Sequence, residues 1–384
     1  MSTTVVSGVQ YSGIWTMQQV NAAVAANTWP VPPGPALFSW GENTTGQLGL
    51  GNTTYYSSPK QVGTLINWST VSMKGRFVAT VKTDGTLWTW GVNNVGQLGL
   101  GNTTYYSSPK QVGALTAWLK ISGGNYNIVS IKTDGTLWAW GRNVEGQLGQ
   151  SDTTARSSPT QIGALTSWAS IGQAERSVFA IKTDGTFWSW GQNNYGQLGL
   201  GNTTSYSSPK QVGALTTWLK IAGGGYSCRA IKTDGTIWAW GLNNVGQLGL
   251  GNITYYSSPK QIGALTNWAN ISSGASHFLA VKTDGTLWVW GEGNAGRLGL
   301  GNVTSYSSPK QVGALTAWSI PSAGGNISSC IKTDGTLWTW GRNHVGQLGL
   351  GDVTNRSSPT QVGALTGWLV LGAGSYSMTA IKTI

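Results

Sequence analysis

Charged residues make up only 9% of the 384-residue chain, and they are one-sided: 23 Lys and Arg stand against 12 Asp and Glu, for a net charge of +11. So few carboxylates leave little material for paired general acids and bases or for a cage of hard-metal ligands. Histidine occurs twice, as His277 and His344, and cysteine twice, as Cys228 and Cys330. Neither pair has metal-ligand spacing, and the cysteines fall in segments too far apart for an expected disulfide, so both read as buried thiols. Long apolar runs are missing, which excludes a membrane-spanning helix. The N-terminus has neither the basic start nor the apolar core of a secretory signal. No cofactor motif is visible.

Glycine (57 residues) and tryptophan (22 residues) are abundant, and 39% of the chain is apolar, far more than a disordered polar chain carries. Trp-Gly pairs at Trp40, Trp90, Trp140, Trp190, Trp240, Trp290 and Trp340 mark a unit of fifty residues that recurs without insertion or deletion. A repeat of this length, made of short β-patterned runs and Gly-marked turns, must stack on its neighbours to bury its apolar faces.

In the copy from Pro109 to Gly149, runs at Pro109–Val112, Trp118–Ser122, Ile128–Lys132 and Thr136–Trp140 alternate with turn residues. Four strands per unit is the blade of an all-β propeller. Asp134-Gly135 predicts a two-residue hairpin, repeated at Asp84, Asp184, Asp234, Asp284 and Asp334, with each carboxylate accepting backbone N–H bonds. Trp138 and Trp140 share a strand face, predicting indoles packed between blades, each burying about 200 Å². The first unit begins at Ala36-Leu37-Phe38 and the last stops at Ile384, each holding what the other lacks, so strands from both termini are expected to close a ring of seven blades. Residues 1–36 lie outside the repeat. Met17, Val20 and Val24 have helical spacing there, and Trp29–Pro35 reads as a stiff linker. The expected domains are therefore a 1–36 anchoring or capping segment and a 37–384 propeller.

With Leu137-Trp138-Ala139-Trp140-Gly141-Arg142-Asn143, Gly146-Gln147-Leu148-Gly149 and Ser157-Ser158-Pro159 in view, the unit resembles the repeat of the RCC1 family, regulators of chromosome condensation. That resemblance implies a seven-bladed propeller closed by both termini. It implies no activity by itself. The family's founding member exchanges nucleotide on a small GTPase and sits on chromatin, using an inserted wedge and a basic tail. Here the constant spacing leaves no room for a wedge, and residues 1–36 contain no charged side chain. Separately, Tyr11–Gln19 and Ala26–Pro30 are similar to leader segments in structural proteins of tailed bacteriophages.

Two windows differ among otherwise near-identical copies. The first holds Lys74, Arg76, Phe77, Asn125, Tyr126, Glu175, Arg176, Tyr226, His277, Asn326 and Tyr376. The second follows Trp-Gly and holds Glu42, Arg142, Glu145, Tyr195, Glu292, Arg342 and His344. Strand parity puts both on one face, opposite the Asp-Gly turns, with Arg76, Phe77, Tyr126, Arg176, Tyr226, His277 and Tyr376 expected around the channel mouth. Variable loops on a rigid scaffold suit recognition. Lys60, Lys110, Lys210, Lys260 and Lys310 recur after Ser-Ser-Pro and predict a partial basic ring. Lysine without interleaved Arg and aromatics is a poor nucleic-acid signature, so nucleic acid is not an expected partner.

No catalytic set and no metal set emerges. The sequence therefore suggests a non-enzymatic structural or recognition propeller on a virion surface or tail. Residues 1–36 would contact other virion proteins, the variable face would meet a host-surface glycan or protein, and assembly would be homo-oligomeric. The rival reading is an intracellular RCC1-like adaptor, cytoplasmic, that binds a GTPase or chromatin. A glycan hydrolase is a third.

Overall fold

The computed structural model describes residues 34–384. Seven four-stranded antiparallel sheets stand around a central channel. One blade runs outward from the channel through Trp118–Gly123, Asn127–Lys132, Leu137–Gly141 and Arg156–Gln161. Each innermost strand touches the next, and the innermost strand of the last blade, Trp368–Ala373, touches that of the first, Trp68–Lys74. The Pro109 run therefore belongs to Tyr106–Gln111, the outer strand of the preceding blade. A period fixes the unit's length but not its phase, which explains the difference from the four-run parsing.

Closure is double-ended. Pro35–Gly41 pairs along its whole length with Ser377–Thr383, from Pro35 opposite Thr383 to Gly41 opposite Ser377. The closing blade takes its two inner strands from the C-terminal end and its two outer strands from the N-terminal end. Pro35 and Ala36 are thus part of the propeller; proline is tolerated there because it is the first residue of the strand. The helical spacing at Met17, Val20 and Val24, and the linker as far as Pro33, lie outside the described residues.

The tryptophans hold blade to blade. Trp140 is fully buried and packs with Val81, Leu87 and Leu98 of the preceding blade. Trp118 meets Trp138 and Trp140 edge-on, at centroid distances of 5.9 and 5.8 Å. The Trp140 indole N–H donates to the Gln97 carbonyl at 3.1 Å, and the same bond recurs from Trp90 to Gln47 and from Trp240 to Gln197. Across the junction of the termini it runs from Trp40 to Gln347 at 3.1 Å. Gly99 (φ +74°) must be glycine for this, because a Cβ there would stand 2.6 Å from the Trp140 indole nitrogen. Asn143 completes the motif: its Oδ1 accepts the Leu148 N–H, and its Nδ2 donates to the carbonyls of Asp152 and Thr154.

The hairpin turn is a three-residue type. Gly135 N donates to Lys132 O (2.9 Å) and Lys132 N to Thr136 O (3.1 Å), and only Gly135 takes positive φ, while Asp134 does not. The two-residue turn expected from Asp-Gly is corrected accordingly. Asp134 Oδ1 accepts the N–H and hydroxyl of Thr136, whose own oxygen accepts the Trp138 indole N–H at 2.8 Å. These bonds hold the carboxyl below its usual range. Lys132 lies over Trp118 and Trp138, 4.8 and 4.1 Å from their ring centroids.

Because the first strand finds its channel-side partner only at the far terminus, deleting Ser377–Ile384 should loosen every blade interface. Calorimetry should show the melting temperature falling by roughly 10 °C or more. An unchanged melt would show that the ring does not need this ladder.

Candidate functional site: the loop collar around the channel

The channel is a cavity of about 210 Å³ lined by inner strands of all seven blades. At one end the tips joining the first and second strands of each blade follow one another around the opening. Glu175 N donates to Gly225 O at 3.0 Å and Gly325 N to Gly374 O at 3.3 Å, so neighbouring tips are tied together. The loops between the third and outer strands form a second tier on the same face. Opposite them lie the Asp-Gly turns.

Lys74 closes the opening. Its position is occupied by Gly124, Ala174, Gly224, Gly274, Gly324 and Gly374 in the other blades. Its Nζ crosses to donate to the carbonyls of Gln173 (2.6 Å) and Gly223 (2.8 Å), two and three blades away. Burial lowers its pKa to about 8, against the opposing pull of Glu175. Gln173 braces the same neck by donating to Ser122 O at 2.7 Å.

The two variable windows meet across blade boundaries. Arg76 pairs with Glu42 (3.1 Å) and Arg176 with Glu145 (3.1 Å). Tyr226 packs on Tyr195 at 5.3 Å, and Tyr376 meets His344 edge-on at 5.6 Å. Burial, then Glu175, raises the Tyr226 phenol pKa. Arg142 stands over Tyr126, 6.0 Å from the ring centroid. Asn125, Glu175 and Asn326 sit at the tips. Apart from Arg142 and Tyr126, which belong to one blade, these pairs tie a loop of one blade to the tip of the next, so the face is a fitted surface and not a set of independent loops.

Phe77 and His277 require correction as members of that surface. Both begin the second strand of their blade, one residue beyond the tip, and both are fully buried. A shift of one residue turns a strand side chain to the other face. His277 Nε2 lies 2.8 Å from Ser328 Oγ, whose own hydrogen goes to the Arg297 carbonyl at 2.7 Å. The imidazole therefore donates from Nε2. Burial, reinforced by Arg297, lowers its pKa to about 3.

The basic ring lies elsewhere. Lys60, Lys110, Lys210, Lys260 and Lys310 project from outer strands on the perimeter, each beside the tyrosine four residues earlier, at 5.6 Å for Lys60 and Tyr56. It is interrupted at Thr160 and Thr360, in the two copies where Arg156 and Arg356 pair with Asp152 and Asp352 at 2.7 and 2.5 Å.

Sequence reasoning missed several groups. Thr45, Asn94 and Tyr105 join Arg76, Asn125, Tyr126 and Tyr376 around a second cavity, of about 350 Å³, on the collar face. Tyr55, Tyr105 and Tyr255 are exposed there, and the signal was Tyr-Tyr at 55–56, 105–106 and 255–256, where strand alternation can bury only one of the two. Arg229 is fully buried over the Phe278 ring and bonded to Ser227 Oγ and the Gln247 carbonyl. No carboxylate pairs with it among the described residues. Cys228 and Cys330 are buried and free, and burial pushes the Cys330 thiol up to about 12.

The RCC1-like domain model matches residues 36–380. The chain belongs to the RCC1-like family. Among solved structures, Prp20p from Saccharomyces cerevisiae, described with its binding to Gsp1p and histones, superposes with a TM-score of 0.83. The two are 19% identical over 92% of each chain. Human WBSCR16 gives 0.82 at 20% identity over 91% of this chain and 99% of that one. Yeast RCC1 (Prp20) bound to Kap60 gives 0.82 at 19% identity over 100% and 96%. At such identities the likeness establishes the RCC1-like fold. No curated protein sequence matches. None of these three structures is a virion component, so the virion expectation draws no support from them. Among the described residues no helix is long and apolar enough to cross a membrane.

His277 generates a pH dependence with a definite sign. Its folded pKa lies below the unfolded value, so its contribution is complete above pH 6.5 and is lost as pH falls toward 3. Between pH 6.5 and 5 the loss should be about 2 kcal/mol. His277→Phe installs the residue the chain itself uses at Phe77 and should flatten this slope in urea unfolding at the two pH values. An equal slope in the variant would assign the acid sensitivity to other groups.

Proposed function

We propose that the chain is a non-enzymatic recognition propeller that binds a partner protein through the collar face. The observation that carries this reading is the separation of constant and variable residues. The Trp indole and the Gln-Leu-Gly backbone are consumed by contacts between blades and the Asn by bonds within its own loop, whereas the copies differ where side chains crown one rim. Tyr and Arg supply that rim, and they are the residue types that anchor interfaces. The ionisable groups offer little for catalysis: the turn aspartates are engaged by threonine, His277 is buried, and Arg76 and Arg176 are ion-paired.

A protein is favoured over the host glycan of the virion reading because the solved relatives described with partners, Prp20p with Gsp1p and histones and yeast RCC1 with Kap60, are described with proteins. This agrees with the adaptor reading. The residues before Pro35 would then serve as a separate attachment segment. The lysines of the perimeter would steer a partner from a distance without forming the contact itself.

The test compares partner binding by three proteins. Arg176→Ala with Tyr226→Ala should weaken binding of a captured partner by about 1–4 kcal/mol while leaving the melting temperature nearly unchanged. Lys110→Ala with Lys210→Ala should alter mainly the dependence on salt. Equal binding by all three, or binding lost only together with folding, would leave the collar a structural rim.

A further inference from the structure

We propose that the 350 Å³ cavity on the collar is a binding site for a saccharide ring, distinct from the protein-binding rim around Arg176 and Tyr226. The cavity lies between tips of the first, second and closing blades, and its wall includes Arg76, Asn94, Tyr105, Asn125, Tyr126 and Tyr376. Its size falls near the lower end of the range for small-ligand pockets. Three tyrosine rings give it apolar faces against which the C–H side of a pyranose can lie.

The polar groups of the wall are available. Arg76 engages Glu42 only through Nη2, leaving its other N–H groups to donate. Asn94 Oδ1 accepts from Gln97, so its Nδ2 hydrogens remain. Among the described residues no hydrogen bond engages the side-chain amide of Asn125 or the phenol oxygens of Tyr105, Tyr126 and Tyr376. Amide and phenol groups both donate and accept, as vicinal hydroxyls do, and a guanidinium fixed by an ion pair presents a planar fork of donors.

The other ligand classes fit less well. A phosphate or nucleotide needs uncompensated positive charge, and the Arg76 charge is matched by Glu42. A quaternary cation can be held by aromatic rings alone, but here it would share the wall with the Arg76 guanidinium, and the one carboxylate nearby, Glu42, is turned to Arg76. An extended peptide needs an open strand edge, and the wall is made of loops. Arg142 backs Tyr126 from outside the wall. The ligand is accordingly a neutral sugar, whether free or carried on a glycoprotein.

The experiment is an NMR titration of the full chain with methyl β-glucopyranoside, methyl α-mannopyranoside, methyl β-galactopyranoside and N-acetylglucosamine. Glucuronic acid is the anionic arm, and a glycopeptide bearing the best of these sugars is the conjugated arm. At least one neutral sugar should shift the Asn125 and Tyr126 signals with a Kd of about 1–10 mM, the range that ordinary ligand efficiency gives one ring. Tyr126→Ala should weaken that binding about tenfold, and Tyr126→Phe should keep most of it. Tyr226→Ala, on the other part of the rim, should leave it unchanged. Tighter binding of the glycopeptide than of the free sugar assigns the site to glycoconjugates, and equal binding assigns it to free sugar. Absence of shifts with every neutral sugar at tens of millimolar, a response to glucuronic acid alone, or undiminished binding by Tyr126→Ala would overturn the proposal. Failure here leaves protein binding through Arg176 and Tyr226 untouched.

Discussion

A buried indole N–H reaching the main-chain carbonyl of the preceding blade is the interaction on which this ring depends. It runs from Trp90 to Gln47, from Trp140 to Gln97 and onward to Trp340 and Arg297, then from Trp40 to Gln347 across the meeting of the termini. Each indole fills the space between two sheets, so one side chain supplies both burial and the hydrogen bond that sets the blade's rotation. The glycine two residues after each Gln lets the ring approach, and the Asn after the Trp-Gly pins the loop that presents the carbonyl in every copy except the one at Trp290, where Gly293 stands in its place. At the sixth interface Arg297 stands where the others have Gln, and the bond persists because it uses the backbone. A motif spent on main-chain contacts can repeat unchanged while everything outside it varies.

That freedom is what the collar uses. Adjacent tips are tied by backbone bonds, Lys74 seals the channel, and the variable side chains pair across blade boundaries, as Arg176 does with Glu145 and Tyr226 with Tyr195. Preorganisation of this kind lowers the ordering cost of binding. The perimeter lysines and the Asp-Gly face belong to other surfaces, so attraction at long range and contact at short range are assigned to different residues.

Much of this architecture is legible in sequence because the unit recurs without a gap. The seven Trp-Gly pairs count the blades, and the complementary fragments at Ala36 and Ile384 reveal closure. Phase is not legible: a period cannot say whether the Pro109 run belongs to the blade before it or after it. Parity near a turn is equally opaque. Phe77 and His277 sit one residue from exposed tips and are wholly buried, which only the hairpin geometry decides. Lys74 is visibly odd among glycines, but its reach to Gln173 and Gly223 requires the channel's diameter. Tyr105 and Asn94 escape notice because each recurs in other copies, at Tyr55 and Tyr255 and at Asn194, Asn244 and Asn294, and they gain interest only where Arg76, Asn125 and Tyr376 converge on them.

The central claim is that seven indole–carbonyl bonds make one cooperative ring, with the junction of the termini equivalent to the other six interfaces. Hydrogen exchange at the indole N–H groups of Trp40, Trp90, Trp140, Trp190, Trp240, Trp290 and Trp340 tests it most directly. If the ring opens only as a whole, all seven exchange with the same free energy, that of global unfolding. Faster exchange at Trp40 than at the other six would show that the ring opens at its seam, and would contradict closure as the basis of its stability.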